Sequence, residues 1–244
     1  MRRSLQAGLL LLCGLGLLQI SLFTDLCLRY VKEGMRPLLI ASGVVLVLLG
    51  IAGALLDRRK GDEEQHHHGH DHSGLPRVSW LLLLPALSLL FYAPPALGAY
   101  TAARQPAKVI AQRSDFDPLP STSPLPMTLS DFTSRVQQDR GQAINGRTVL
   151  MTGIVTPHGG GSWDLTRIII NCCAADAQSV KVRIYGGTVP PANSWVSVTG
   201  TWHPGGRLGT RSAPVALDAL TVKKIARPLN GYQDALPLGS TVTR

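Results

Sequence analysis

Three stretches without a single Asp, Glu, Lys or Arg, residues 7–23, 37–56 and 78–99, set the strongest limit on what this chain can fold into. At 1.5 Å of rise per helical residue, each is about long enough to cross a hydrocarbon core ~30 Å thick. The expectation is a multi-pass plasma-membrane protein. Residues 1–99 form a helical anchor of two to three transmembrane helices, and a soluble domain begins at Tyr100. Met1-Arg2-Arg3 ahead of an apolar stretch also suits a cleaved secretory signal, but the small-residue cleavage pattern after Phe23 is poor, so a retained helix is expected. Gly43, Gly50 and Gly53 lie in the second stretch, and the spacing of the last two is a weak signal for close helix packing. In the third, Pro85 is expected to kink the helix and Pro94-Pro95 to end it, with Trp80 and Tyr92 at the interfaces.

Between the second and third stretches, in a loop spanning residues 57–77, lies His66-His67-His68-Gly69-His70-Asp71-His72. Neutral imidazole is a common ligand for zinc, nickel and copper, and Asp62, Glu63, Glu64 and Asp71 add charge that attracts a cation. His66, His67, His68, His70 and His72 are therefore candidate metal ligands in a dynamic site of low specificity. Lys and Arg counts on the two sides of the expected helices tie. The Arg2-Arg3 pair and the dense Arg58-Arg59-Lys60 run tip the orientation, placing the N-terminus and histidine loop inside and the soluble domain outside the cytoplasm.

The formal net charge of +9 is uneven, with +2 in residues 1–99 and +7 in residues 100–244. A basic domain tied to a bilayer points to anionic headgroups or an acidic partner rather than to nucleic acid. Residues 100–127 read as a Pro-rich linker through Pro118, Pro120, Pro124 and Pro126. A short helix follows, capped by Thr128 or Ser130, with Leu129, Phe132 and Val136 on one face. Five β-rich runs then occupy residues 148–157, 163–172, 179–185, 194–202 and 216–225, separated by turn-forming stretches. Val180, Val182 and Ile184 alternate with Lys181 and Arg183, the mark of a half-buried strand. Five short strands over 128–228 fit an all-β domain of the oligonucleotide/oligosaccharide-binding (OB) type, an OB-like five-stranded barrel, with a small open sandwich as the alternative. Residues 229–244 read as a flexible tail.

The four cysteines form no disulfide framework and no paired Cys-x-x-Cys zinc site. Cys13 and Cys27 read as small membrane-compatible side chains. Cys172 and Cys173 are adjacent at a strand end, followed by Asp176. They can form a strained vicinal disulfide, offer soft metal ligands, or point to opposite faces of the strand end with at least one simply packed and Asp176 capping a turn. Cys172, Cys173 and Asp176 are thus candidate metal contacts, with His158 or His203 as further ligands that the sequence cannot place. Trp163, Tyr185, Trp195 and Trp202 read as core rather than as stacking platforms. The triple glycine at 159–161 lacks the Lys-Ser/Thr of a phosphate loop. No Ser/His/Asp or paired-carboxylate arrangement stands out, so no catalytic residues and no enzyme are expected.

The residues Ser21-Leu-Phe-Thr-Asp25, Arg29-Tyr-Val-Lys-Glu33 and Arg36-Pro-Leu-Leu-Ile-Ala-Ser42 carry a resemblance. So do the His-rich loop, Leu129-Ser-Asp-Phe-Thr133, Cys172-Cys173-Ala-Ala-Asp176-Ala and Val198-Thr-Gly-Thr-Trp-His203. Together they resemble the YcgQ-like permease-subunit family of bacterial membrane proteins, in its high-GC Gram-positive form, over nearly the whole chain. The resemblance implies a non-enzymatic accessory subunit beside a polytopic permease, linked to zinc or another transition metal; the family carries over no substrate and no catalytic residue. The competing readings are a stand-alone metal-binding or sensing protein and a thiol-redox component using Cys172 and Cys173.

Overall fold

The computed structural model describes residues 2–61, 97–105, 107–159 and 162–236. The histidine loop and nearly all of the third apolar stretch lie outside the described residues. The chain separates into two compact units, 1–96 and 97–244.

The first unit holds helix α1, Arg2–Phe23, and helix α2, Arg36–Gly61. Both are long and apolar enough to cross a membrane by length and composition. They run antiparallel along a glycine seam. A Cβ on Gly14 would meet Val47 Cγ2 at 2.8 Å, and one on Gly50 would meet Leu11 Cγ at 2.7 Å. Only a missing side chain permits that approach, which brings the two helix backbones into close van der Waals contact. On α2 the tightest approaches are at Gly43 and Gly50, seven residues apart, while Gly53 faces Ala7 with room for a Cβ at 3.6 Å. Leu12, Leu38, Leu48 and Leu49 remain exposed around the pair.

Arg36 closes the hairpin. Its Nε donates to the carbonyl of Ser21 at 2.6 Å, and Nη1 reaches Asp25 at 3.4 Å. A cation therefore sits on the free carbonyls at the C-terminal end of α1, where the helix dipole favours it.

The second unit is a six-stranded sheet with two helices: α3, Ala99–Arg104, and α4, Leu129–Gln138. The strands are β1, Leu125–Pro126; β2, Thr148–Pro157; β3, Trp163–Ile169; β4, Gln178–Tyr185; β5, Trp195–Trp202; and β6, Ala216–Lys224. Antiparallel pairs join β2 to β3, β3 to β4, β5 to β6 and β2 to β5, while β4 and β6 run parallel. The pairings thus return from β5 to β2, and β1 adds in parallel to the start of β2. The five β-rich runs all form strands; the two-residue β1 is additional. The second run stops at Ile169 because Ile170 donates its N–H to Tyr232 instead of to β4.

Inside the sheet, Val149, Met151, Val155, Trp163, Leu165, Val182, Ile184 and Val198 form the core, and α4 adds Phe132 and Val136. Thr128 caps α4, accepting the N–H of Asp131 at 3.1 Å.

Three segments differ from expectation. Leu97 and Ala99, the end of the third apolar stretch, belong to the second unit. Ala99 is buried and donates its N–H to Asn193 Oδ1 at 2.5 Å. The region read as a linker carries little regular structure, as its prolines dictate, yet it is strapped down. Lys108 N–H donates to the carbonyl of Ser179 at 2.9 Å, and Arg113 N–H donates to Gln138 Oε1 at 2.7 Å. Residues 229–236 of the expected flexible tail are pinned as well. Asp234 accepts the N–H groups of Leu129 and Ser130 at 3.1 and 2.7 Å, ahead of the first turn of α4. The tail and α3 cover the outer face of β2 and β3, where Ala102, Ile154, Ile168, Ile170 and Ala177 form a second small core. Beneath them Arg167 is buried, donating from Nε and Nη2 to Thr152 and from Nη2 to the carbonyl of Ala235.

Candidate functional site

β3 runs out at Ile169, and the chain must reverse before β4 begins at Gln178. A short 3₁₀ turn over Ala174–Asp176 does this, with Asp176 N–H donating to the carbonyl of Cys173 at 3.1 Å. The carboxylate of Asp176 reaches back over the turn. Its oxygens accept the N–H groups of Asn171 at 3.0 Å and Cys172 at 2.7 Å. Asp176 therefore shapes the loop that presents the two cysteines.

Cys172 is exposed, Cys173 is half-buried, and both thiols are free. Their sulfurs lie 3.7 Å apart, far beyond a disulfide bond. That spacing has a chemical meaning. Two ligands bound to one tetrahedral ion at a metal–sulfur distance of ~2.3 Å lie about 3.8 Å apart. The same separation is that of two thiols in hydrogen-bonding contact, so it is compatible with shared ligation without requiring it. Among the described residues no group of three or more His, Cys, Asp and Glu side chains is arranged to hold an ion.

Hydrogen bonding keeps the Cys172 thiol protonated. The hydrogen bond to Asp176 is the largest of the effects that push Cys172 up to about 11, followed by the bond to Cys173. The reciprocal hydrogen bond holds the Asp176 carboxyl below its ordinary value. A thiol raised in this way is a poor nucleophile, the opposite of the depressed thiols that drive disulfide exchange. A cation reverses the balance, because the carboxylate that penalises a thiolate favours a positive ion beside it.

His158 and His203 do not join this turn. His158 Nδ1 sits 3.1 Å from Arg183 Nη2 and 3.4 Å from Asp164. His203 Nδ1 lies 2.7 Å from Asp218, with its ring stacked on Tyr185 at 4.2 Å. Each histidine has a carboxylate of its own on the sheet. His66, His67, His68, His70 and His72 lie outside the described residues.

Trp163 is fully buried and Trp202 packs on the main core, while Trp195 packs on the smaller core with Arg167 over its ring at 5.0 Å. Tyr185 alone of the four aromatics is exposed. The sequence reading missed the His203–Asp218–Tyr185 cluster. The pairing of β5 with β6 sets Asp218 opposite Thr201, and His203, two residues further along the chain, lies diagonally from it on the same face.

Comparison with protein-family models and with curated proteins finds no match. Among solved structures, a chain of the Stn1–Ten1 complex of S. pombe aligns at 14% identity and a TM-score of 0.25, over 44% of this chain and 81% of that one. A Leishmania major Friedlin protein assigned as an aspartyl-tRNA synthetase aligns at 17% identity and a TM-score of 0.25, over 50% of this chain and 24% of that one. Likenesses this slight carry no argument about fold or function.

Proposed function

We propose that this chain is a non-enzymatic accessory subunit of a polytopic permease, tethered to the plasma membrane by its apolar helices. In this reading Cys172 and Cys173 are a transient contact for zinc or another thiophilic transition metal, handled as cargo. The observation that carries the reading is the free thiol pair at 3.7 Å, a separation that two thiolates on one tetrahedral ion would also have. Two donors alone suit capture and release, because the remaining ligands come from the partner that receives the ion. A resident structural site would enclose its metal.

Two further proposals follow. The circuit of pairings β2–β3–β4–β6–β5–β2 supports a closed, OB-like five-stranded barrel that carries the turn on its rim. The charge pattern supports a multi-pass topology with the histidine loop cytoplasmic and the β domain outside, giving metal donors on both faces of the bilayer. The raised thiol of Cys172 weighs against the thiol-redox alternative.

The test is purification of the full chain in mild detergent from its native host. A polytopic partner should co-purify and should be lost when residues 1–61 are replaced by an unrelated helical hairpin of equal length. Retention of the partner with the foreign hairpin, or recovery of the chain alone under cross-linking, would overturn the subunit reading.

A further inference from the structure

A cavity of about 930 Å³ opens on the second unit, and none of Cys172, Cys173 and Asp176 lines it. Its walls come from four separate parts of the chain: the strap over 107–116, the C-terminal end of α4, the first residues of β4, and the loop at Gly209–Arg211. Five cations line it: Lys108, Arg113, Arg140, Lys181 and Arg211. Arg113 is engaged, pairing with Asp131 at 3.0 Å. The side chains of Lys108, Arg140, Lys181 and Arg211 make no ion pair or hydrogen bond among the described residues.

The acids in the wall do not balance them. Asp139 accepts the N–H of Gly141 at 2.9 Å and pairs with Arg135 at 3.5 Å, leaving Asp115 as the one carboxylate in the lining without a cation. Ser179, fully buried at the groove wall, has a hydroxyl with no partner. The strap itself is built in, since Ala107 bridges to Ser179, Gln138 clamps Ala111 and Arg113, and Ile110 packs on the core.

We infer that this groove is a binding site for a compact polyanion carrying two or more phosphate groups. Four cations without partners on four converging segments repel one another, and a multivalent anion removes that repulsion at every wall simultaneously. Guanidinium and ammonium groups together match phosphate oxygens, the former as a planar fork and the latter as point charges. The volume lies within the range of small-ligand pockets. A nucleobase has no platform here. Phe116 is the aromatic side chain of the lining, and Arg113 and Arg135 already lie over its ring at 5.0 and 5.3 Å. The site is independent of the thiol turn and of any metal.

The probe is tripolyphosphate, titrated calorimetrically into the full chain in nanodiscs of neutral phosphatidylcholine at low salt. Saturable binding is expected, weakened at least tenfold by Lys181→Ala/Arg211→Ala. Lys223→Ala/Lys224→Ala, which removes the same charge from exposed positions on β6, should leave it within twofold. Lys181→Glu alone should weaken it comparably, with an unchanged melting temperature showing the fold intact. Equal losses in the two double variants, or no saturable heat from the wild type, would overturn the inference. Nanodiscs containing cardiolipin, whose headgroup carries two phosphates, identify the source of the phosphates. Competition with tripolyphosphate that Lys181→Ala/Arg211→Ala relieves points to a lipid headgroup, and indifference to lipid composition points to a free ligand.

Discussion

Asp234→Ala is expected to destabilise the second unit by about 2 kcal/mol, although the residue lies in a stretch with no regular secondary structure. The side chain accepts two N–H groups, from Leu129 at 3.1 Å and Ser130 at 2.7 Å, where α4 has no intrahelical partners for them. Hydrogen bonds to a charged group contribute about 1.5 kcal/mol or more each, but the half-buried site lets water recover part, leaving roughly 1 kcal/mol per bond. The carboxylate also favours the buried guanidinium of Arg167, which burial pushes below its ordinary value. The sum exceeds a single helix cap, worth ~1 kcal/mol. For a domain of this size, about 2 kcal/mol corresponds to a fall in Tm of roughly 4–8 °C. The assay is thermal unfolding of the full chain in detergent, followed by tryptophan fluorescence. Asp234→Asn, which keeps an acceptor but loses the charge, should give about half the shift. A fall below ~1 °C for Asp234→Ala would refute the anchored tail and return residues 229–236 to a loose end.

Three other perturbations are direct. With Cys13 and Cys27 replaced by Ala and Cys173 by Ser, maleimide labelling of Cys172 at pH 8 should accelerate about tenfold in Asp176→Asn. A thiol at about 11 instead of 9.0 holds roughly a hundredfold less thiolate at that pH. Asp176 is the largest but not the sole cause, Cys173 is already replaced, and lower intrinsic reactivity at the lower pKa offsets part of the gain. The difference should vanish above pH 11, and equal rates at pH 8 would remove Asp176 as the cause. A Cβ on Gly53 would lie 3.6 Å from that of Ala7, so Ala7→Cys/Gly53→Cys should form an intrachain disulfide under mild oxidant, read by gel mobility. Adding Gly50→Leu should abolish it, because Leu11 and the carbonyl of Ala7 occupy that space. Arg167→Met should lower the stability by about 3 kcal/mol, measured by denaturant unfolding, because Thr152 and the carbonyl of Ala235 lose their buried donor.

What local pattern encodes was legible in the sequence. The alternation of Val180, Val182 and Ile184 gave β4 to within one residue, and Thr128 with Asp131 marked the start of α4. What depends on contacts far apart in the chain was not. Asp234 caps a helix 105 residues earlier, and the N–H of Lys108 reaches Ser179, pairings that no periodicity in either segment announces. The same limit hid the groove. Its cations are scattered over 104 residues, from Lys108 to Arg211, and only the folding of the strap against α4 and β4 gathers them. The thiol turn was legible as residue types, with Asp176 as a candidate turn cap, but which N–H groups its carboxylate accepts, those of Asn171 and Cys172, was not. Those contacts follow from the reversal between β3 and β4, a tertiary event.

The most direct measurement is a cadmium titration of the full chain with Cys13 and Cys27 replaced by Ala and with His66, His67, His68, His70 and His72 replaced by Ala. The readout is the ultraviolet thiolate-to-metal charge-transfer band, which reports sulfur ligation and nothing else on this background. The expected result is a band saturating at one ion or fewer per chain, reduced by Cys172→Ser and by Cys173→Ser and absent from the double variant. A chain with both thiols intact that shows no band, or a band that survives in Cys172→Ser/Cys173→Ser, would contradict the role assigned to the turn.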